Sequence, residues 1–120
     1  MFSTESFATI RLSVESVADS KAWYEKFFSC GHIEEAENFA SFKIAGASLD
    51  IVKADAKSPI SKGGSVGYWL VSDIDNAIQH AISLGGKIYR GPLRVEEVNR
   101  VIVQIEDPFG NVIGLEGKFV

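Results

Sequence analysis

The side chains able to do chemistry are few and far apart in this sequence. It holds two histidines, His32 and His80, and a single cysteine, Cys30. One cysteine makes neither an intrachain disulfide nor a multi-cysteine metal site. At the end of an expected helix it reads as a small hydrophobe and not as a nucleophile. His32 falls at an expected strand start and His80 on an expected helix. Among the charged residues on expected strands are Arg11, Asp50 and Glu116. Carboxylates paired in space transfer protons when burial separates their pKa values. Two of them alone hold a hard divalent ion only weakly. Arg11 and Asp50 form either an ion pair across adjacent strands or a contact to a ligand, because a buried charge needs a partner in both cases.

The elements that position these residues are legible from periodicity. Ile10, Leu12 and Val14 alternate with Thr9, Arg11 and Ser13 from Phe7 onward, giving a strand with one apolar face. Ser16 caps a helix in which Val17, Ala18, Ala22, Trp23, Phe27 and Phe28 recur at helical spacing, with Gly31 as its stop. Trp23 is expected to pack beneath that helix. Three short strands follow at 32–37, 39–45 and 47–53, broken at Asn38 and Gly46. Residues 55–65 contain Pro59, Gly63, Gly64 and several serines and lysines, which makes a polar linker.

The same grammar then returns, with a strand at 66–72, a helix capped by Asp73 and ended by Gly85 and Gly86, and strands at 87–89, 99–106 and 112–117. Residues 91–97 are expected to form a solvated loop. The last two strands flank Asp107-Pro108-Phe109-Gly110-Asn111, a hairpin turn in which Gly110 and Asn111 tolerate positive φ. Val14 and Val71, Ser16 and Asp73, and Val17 and Ile74 each lie 57 positions apart. That common offset marks an internal duplication. The fold class is α+β, with residues 1–120 forming one domain of two βαβββ modules, at about 7–54 and 66–117.

Composition narrows the partners. With 46% hydrophobic and 23% charged residues the chain is an ordinary globular sequence, long enough to bury roughly two thirds of its unfolded surface. A net charge of −4 with scattered basic residues argues against a nucleic-acid surface and mildly favours cationic small molecules. No apolar run approaches the roughly 18 residues of a membrane span, and 1–6 lack the features of a secretory leader. A cytoplasmic location and no membrane partner are expected.

Asp107-Pro108-Phe109-Gly110-Asn111 before an apolar strand resembles the closing hairpin of the vicinal oxygen chelate superfamily, which holds glyoxalase, bleomycin-resistance proteins and extradiol dioxygenases. Ala22-Trp23-Tyr24-Glu25-Lys26-Phe27-Phe28 is similar to that family's first-helix pattern, and tandem βαβββ modules are its architecture. The resemblance covers residues 7–117. It implies curled mixed sheets that form a cleft, with four metal-ligand positions on the inward face.

Those positions fall here at Thr9, Asp50, Val66 and Gly114, and His32 and His80 lie off them. Three protein ligands of His, carboxylate or thiolate normally hold a catalytic ion. Of the four, only Asp50 ligates well, and Glu116 adds at most a second carboxylate. The expectation is therefore no metal and no other cofactor.

What the resemblance leaves is a ligand-binding cleft lined by Thr9, Arg11, Ser13, Asp50, Val66, Tyr68, Leu70, Ile102, Gln104, Gly114 and Glu116, with Val52 beside them. Tyr68 reads as ordinary core rather more readily than as lining, and Trp69 reads as core by parity. The expected function is metal-independent binding of a small molecule, such as sequestration of a drug or metabolite, by a homodimer like those of the bleomycin-resistance branch. Whether the chain is an enzyme stays open, with the balance against it. The alternative is a divergent lyase, isomerase or dioxygenase-type enzyme using Asp50 and Glu116, and a third reading is an interaction module with an empty cleft.

Overall fold

The computed structural model describes residues 1–32 and 34–118. Contacts divide it into two compact units, Met1–Ser58 and a second beginning at Pro59. Each holds one helix and one four-stranded mixed sheet, so the fold is α+β.

In the first unit, β1 (Thr9–Val14) is followed by α1 (Val17–Phe28), then β2 (Glu34–Ala36), β3 (Phe39–Ile44) and β4 (Ala47–Lys53). The sheet order is β1-β4-β3-β2, with β1 and β4 parallel and the other pairs antiparallel. Leu12, Val14, Ala40, Phe42, Leu49 and Ile51 come from one face of these strands and are buried. They meet Val17, Trp23, Tyr24 and Phe27, the buried stripe of α1. Trp23 stacks on Phe27 at 5.2 Å and meets Tyr24 edge-on at 4.8 Å, so the aromatic run of the helix is packing.

Ser16 caps α1, its hydroxyl accepting from the Asp19 N–H at 3.2 Å. The helix stops earlier than Gly31. Ser29 takes the left-handed conformation at φ 54°, and the Cys30 N–H reaches back to the Glu25 carbonyl at 3.1 Å. A serine thus does what glycine usually does at this position, and Gly31 lies beyond the closed cap. The expected strand at 32–37 is shorter at its described end, and Ile33 lies outside the described residues.

The second unit repeats the order with β5 (Tyr68–Leu70), α2 (Ile74–Ser83), β6 (Lys87–Val95), a 3-10 turn (Glu96–Val98), β7 (Arg100–Glu106) and β8 (Val112–Lys118). Its sheet order is β5-β8-β7-β6, and β5 and β8 are the parallel pair. Val103, Ile105, Ile113 and Leu115 form the buried face and receive Ile78 and Ala81 from α2. Asp73 caps α2 through the Asn76 N–H at 3.0 Å. At the other end the Gly85 N–H reaches the Ile82 carbonyl at 3.0 Å, and the positive φ of Gly85, 90°, turns the next peptide back toward the helix. The Gly86 N–H reaches the Ala81 carbonyl at 2.9 Å.

Three expectations for this unit are corrected. The fifth strand covers Tyr68–Leu70 and not 66–72, so Val66 precedes it. Residues 91–95 are no loop: β6 runs through them, with register shifts between Ile88 and Arg90 and between Arg90 and Leu93. The edge position of β6 tolerates Pro92, because one side of an edge strand makes no ladder bonds. Trp69 is half-buried and not deep core, since β5 is itself an edge strand.

The β7–β8 turn is held by Asp107, which is only 2% exposed. Its carboxylate accepts from the Phe109 N–H at 2.9 Å and the Asn111 N–H at 3.0 Å, while its own N–H donates to the Asn111 carbonyl at 2.8 Å. Gly110 carries the positive φ, at 95°, and Asn111 does not. Asp107→Ala strands the buried Asn111 N–H and the part-buried Phe109 N–H and is expected to cost about 2–4 kcal/mol in urea unfolding, whereas Gly110→Ala costs about 1 kcal/mol from strained backbone. An Asp107→Ala variant as stable as the parent would show that the turn is held by other bonds.

Candidate functional site

The register of the two parallel pairs places equivalent residues together. Arg11 pairs with Asp50 and Tyr68 with Gly114; Leu12 pairs with Ile51 and Trp69 with Leu115. Each such pair in the first unit maps onto one in the second by shifts of 57 positions for the first strand and 64 for the last. The duplication therefore extends to which residues face each other. Cross-strand neighbours share a face, so these partners can be followed across each sheet on the side away from its helix.

In the first unit the row reads Arg11, Asp50, Ser41, Glu34 across β1, β4, β3 and β2. Ser41, 6% exposed, donates its hydroxyl to the Asp50 carboxylate at 2.7 Å. Thr9 and Ser13 lie one step to either side of Arg11 on that face, opposite Ser48 and Val52. No ion pair joins Arg11 and Asp50 among the described residues, which removes that structural expectation. Neighbouring strands bring the two residues side by side, but the hydroxyl of Ser41 is what satisfies Asp50.

In the second unit the row reads Tyr68, Gly114, Gln104, Arg90 across β5, β8, β7 and β6. Gly114 has no side chain, and a Cβ built there would lie 2.4–2.6 Å from the Tyr68 ring. The ring therefore lies over the β8 backbone, and its hydroxyl accepts from the Gln104 amide at 2.9 Å, two strands away. Tyr68, Arg90, Leu93, Ile102, Val103 and Gln104 line a concavity of about 220 Å³. Ile102 stands opposite Glu116, which is paired with Arg100 at 3.3 Å. Leu70 faces Glu116 and is 56% exposed at the sheet edge. Val66 lies outside the strands and outside this row.

Of the expected lining, Thr9, Arg11, Ser13 and Asp50 share a face of the first unit, and Tyr68, Leu70, Ile102, Gln104, Gly114 and Glu116 share one in the second. Ser41, Arg90, Leu93 and Arg100 were missing from that expectation. Ser41 could have been found from the alternation of Ala40 and Phe42 with Phe39 and Ser41. Arg90 and Leu93 were hidden by Gly91-Pro92, which reads as a break in the strand.

Clear electrostatic shifts lie away from both rows. The Lys21 ammonium bonded to Glu35 holds that carboxyl below its usual range, and Glu35 in turn raises Lys21. Burial and then the charge of Glu25 push the Cys30 thiol up, so it is protonated at neutral pH and a poor nucleophile.

Two successive mixed sheets, each with its first and last strands parallel and one helix on its back, define the class of duplicated βαβββ proteins. The sequence matches the family model for the Glyoxalase/Bleomycin resistance protein/Dioxygenase superfamily over residues 6–115, and the chain belongs to that superfamily.

Solved structures agree on the fold. A glyoxalase/bleomycin resistance protein from Albidiferax ferrireducens is 18% identical with a TM-score of 0.75, over 93% of this chain and 98% of its own. The fosfomycin resistance protein FosX from Listeria monocytogenes is 17% identical with a TM-score of 0.75, over 100% of this chain and 94% of its own. A glyoxalase/bleomycin resistance protein/dioxygenase family enzyme from Burkholderia phytofirmans is 15% identical with a TM-score of 0.79, over 93% and 98%. No curated protein matches the sequence. Among the described residues no helix is long and apolar enough to cross a membrane.

The donor set does not fit the metal centre that the family resemblance implies. Thr9, Val66 and Gly114 offer no imidazole, carboxylate or thiolate, and Asp50 is already bonded to Ser41. Within either unit, among the described residues, no three His, Cys, Asp or Glu side chains are placed to hold one ion. Gly114→Ala is expected to destabilise by about 1–3 kcal/mol through overpacking against Tyr68. In a Tyr68→Ala background the same change should be nearly neutral, so a double-mutant cycle in urea reads the contact directly. Additive effects would mean that the ring does not depend on the missing side chain.

Proposed function

We propose that this protein is a metal-independent small-molecule binding domain of its superfamily, acting by sequestering a drug or metabolite and working as a homodimer. The observation that carries this reading is the Tyr68 ring over Gly114: at a position where the family resemblance puts a metal ligand, an aromatic ring fills the space. A tyrosine hydroxyl tied to Gln104, with Ile102 and Leu93 beside it, is the mixture of apolar wall and few polar groups that small-molecule sites use. Structural neighbours named for resistance to bleomycin and to fosfomycin support a small-molecule role. Asp50 and Glu116 each have a partner in their own unit, Ser41 and Arg100, which favours binding over proton transfer by that pair.

Protein purified without a metal-affinity tag is expected to contain no stoichiometric metal. Its melting temperature should be unmoved by nickel, zinc, manganese or ferrous iron. A saturating rise at micromolar ion would overturn metal independence, because only an ion that binds the folded state raises its stability. Sedimentation at twice the chain mass checks the dimer.

A further inference from the structure

The concavity of the second unit carries a chemical preference that the overall charge of the protein does not. Its polar lining is donor-rich. Arg90 presents a guanidinium with five N–H groups and has no ion-pair partner among the described residues. The Tyr68 hydroxyl accepts the Gln104 bond, which leaves its own proton available to donate. Among the described residues no acidic side chain lines the space, and Glu116, opposite Ile102, is held by Arg100 at 3.3 Å. The apolar part of the wall is Leu93 and Ile102.

From this arrangement, and resting on the small-molecule reading above, we infer that the second unit binds a small organic oxyanion through Arg90 and the Tyr68 hydroxyl, with a short apolar body against Ile102 and Leu93. A net charge of −4 does not oppose this. Surface charges beyond about 10 Å are largely screened at ordinary salt, whereas a guanidinium in direct contact with an oxyanion forms a charge-assisted bond of fixed geometry. The volume of about 220 Å³ limits the body to roughly one ring or a short chain. Gly114 takes part by absence, since a side chain there would displace the ring that aims the hydroxyl.

The test uses four single-ring probes that differ in their head group, benzoate, phenylphosphonate, benzamide and benzylamine, titrated into the full isotope-labelled chain and followed by amide and Gln104 side-chain NMR shifts. Benzoate or phenylphosphonate is expected to shift Gln104, Ile102 and Leu93 together and to bind at least about tenfold more tightly than benzylamine. Arg90→Gln should remove that tenfold preference while leaving benzamide unchanged, and Tyr68→Phe should weaken the anions severalfold with the fold intact. Whichever anion binds better identifies the planar or the tetrahedral head. Benzylamine or benzamide binding this face as well as the anions would overturn the oxyanion inference and leave the small-molecule reading standing. A face that responds to none of the four, in a protein whose stability a broader compound library also leaves unchanged, would overturn both.

Discussion

Each unit depends on one constraint, the parallel pairing of its first strand with its last. The parallel pairs β1–β4 and β5–β8 are closed by everything that lies between them in the chain. A parallel pair cannot be joined by a tight turn, so a crossover must carry the chain over one face, and the helix does this. Once α1 and α2 occupy that face, the apolar set of every strand must point toward them. A register slip of one residue would expose Leu12, Val14 and Ile51 in the first unit, or Val103, Ile105 and Leu115 in the second, and those side chains are almost fully buried. Each burial of that size is worth about 1.5–3 kcal/mol, enough to fix register without any help from the other face.

The opposite face is therefore free to vary, and the two units have used that freedom differently. The row Arg11, Asp50, Ser41, Glu34 carries charges of both signs and a hydroxyl, whereas its equivalent, Tyr68, Gly114, Gln104, Arg90, is aromatic and amide with one guanidinium and no acid. The exchange of Asp50 for Gly114 at matched positions is the sharpest difference. A carboxylate there in the first unit is steadied by a serine on the next strand. A glycine there in the second lets a ring from one strand reach an amide on a third.

Much of this was legible in the sequence, because burial on one face imposes a period that residues must obey. The duplication, both helix starts, the closing hairpin and the buried faces followed from alternation, from Ser16 and Asp73, and from Asp107 to Gly110. What was not legible has physical reasons. Ser29 closes α1 because a Schellman cap needs only one left-handed residue, and the chain offers Gly31 two positions later as a more obvious choice. Asp107 reads as a turn former, and nothing local says that its carboxylate is buried and doubly bonded. Adjacency of Arg11 and Asp50 was readable as register, yet the hydrogen bond went to Ser41, because local charge patterns do not reveal which neighbour reaches the oxygen. Of the candidate site, parity grouped the expected residues of the regular strands on shared faces, passed over Ser41 and Arg100 there, and missed Arg90 and Leu93 on an irregular strand.

That irregular strand bears on how the protein stays apart from its neighbours in a crowded solution. β6 is nine residues long and lies at the edge of its sheet, with Ile88, Tyr89 and Leu93 exposed. A flat edge of that length and character is a template for another chain to add a strand, and so for aggregation. Pro92 withdraws one N–H, the two register shifts bend the ribbon, and Lys87, Arg90 and Arg94 place like charges along it. An incoming strand would meet a missing donor, a changed twist and repulsion from any copy of itself. The features that disguise β6 as a loop in the sequence also make it a poor seed for fibres.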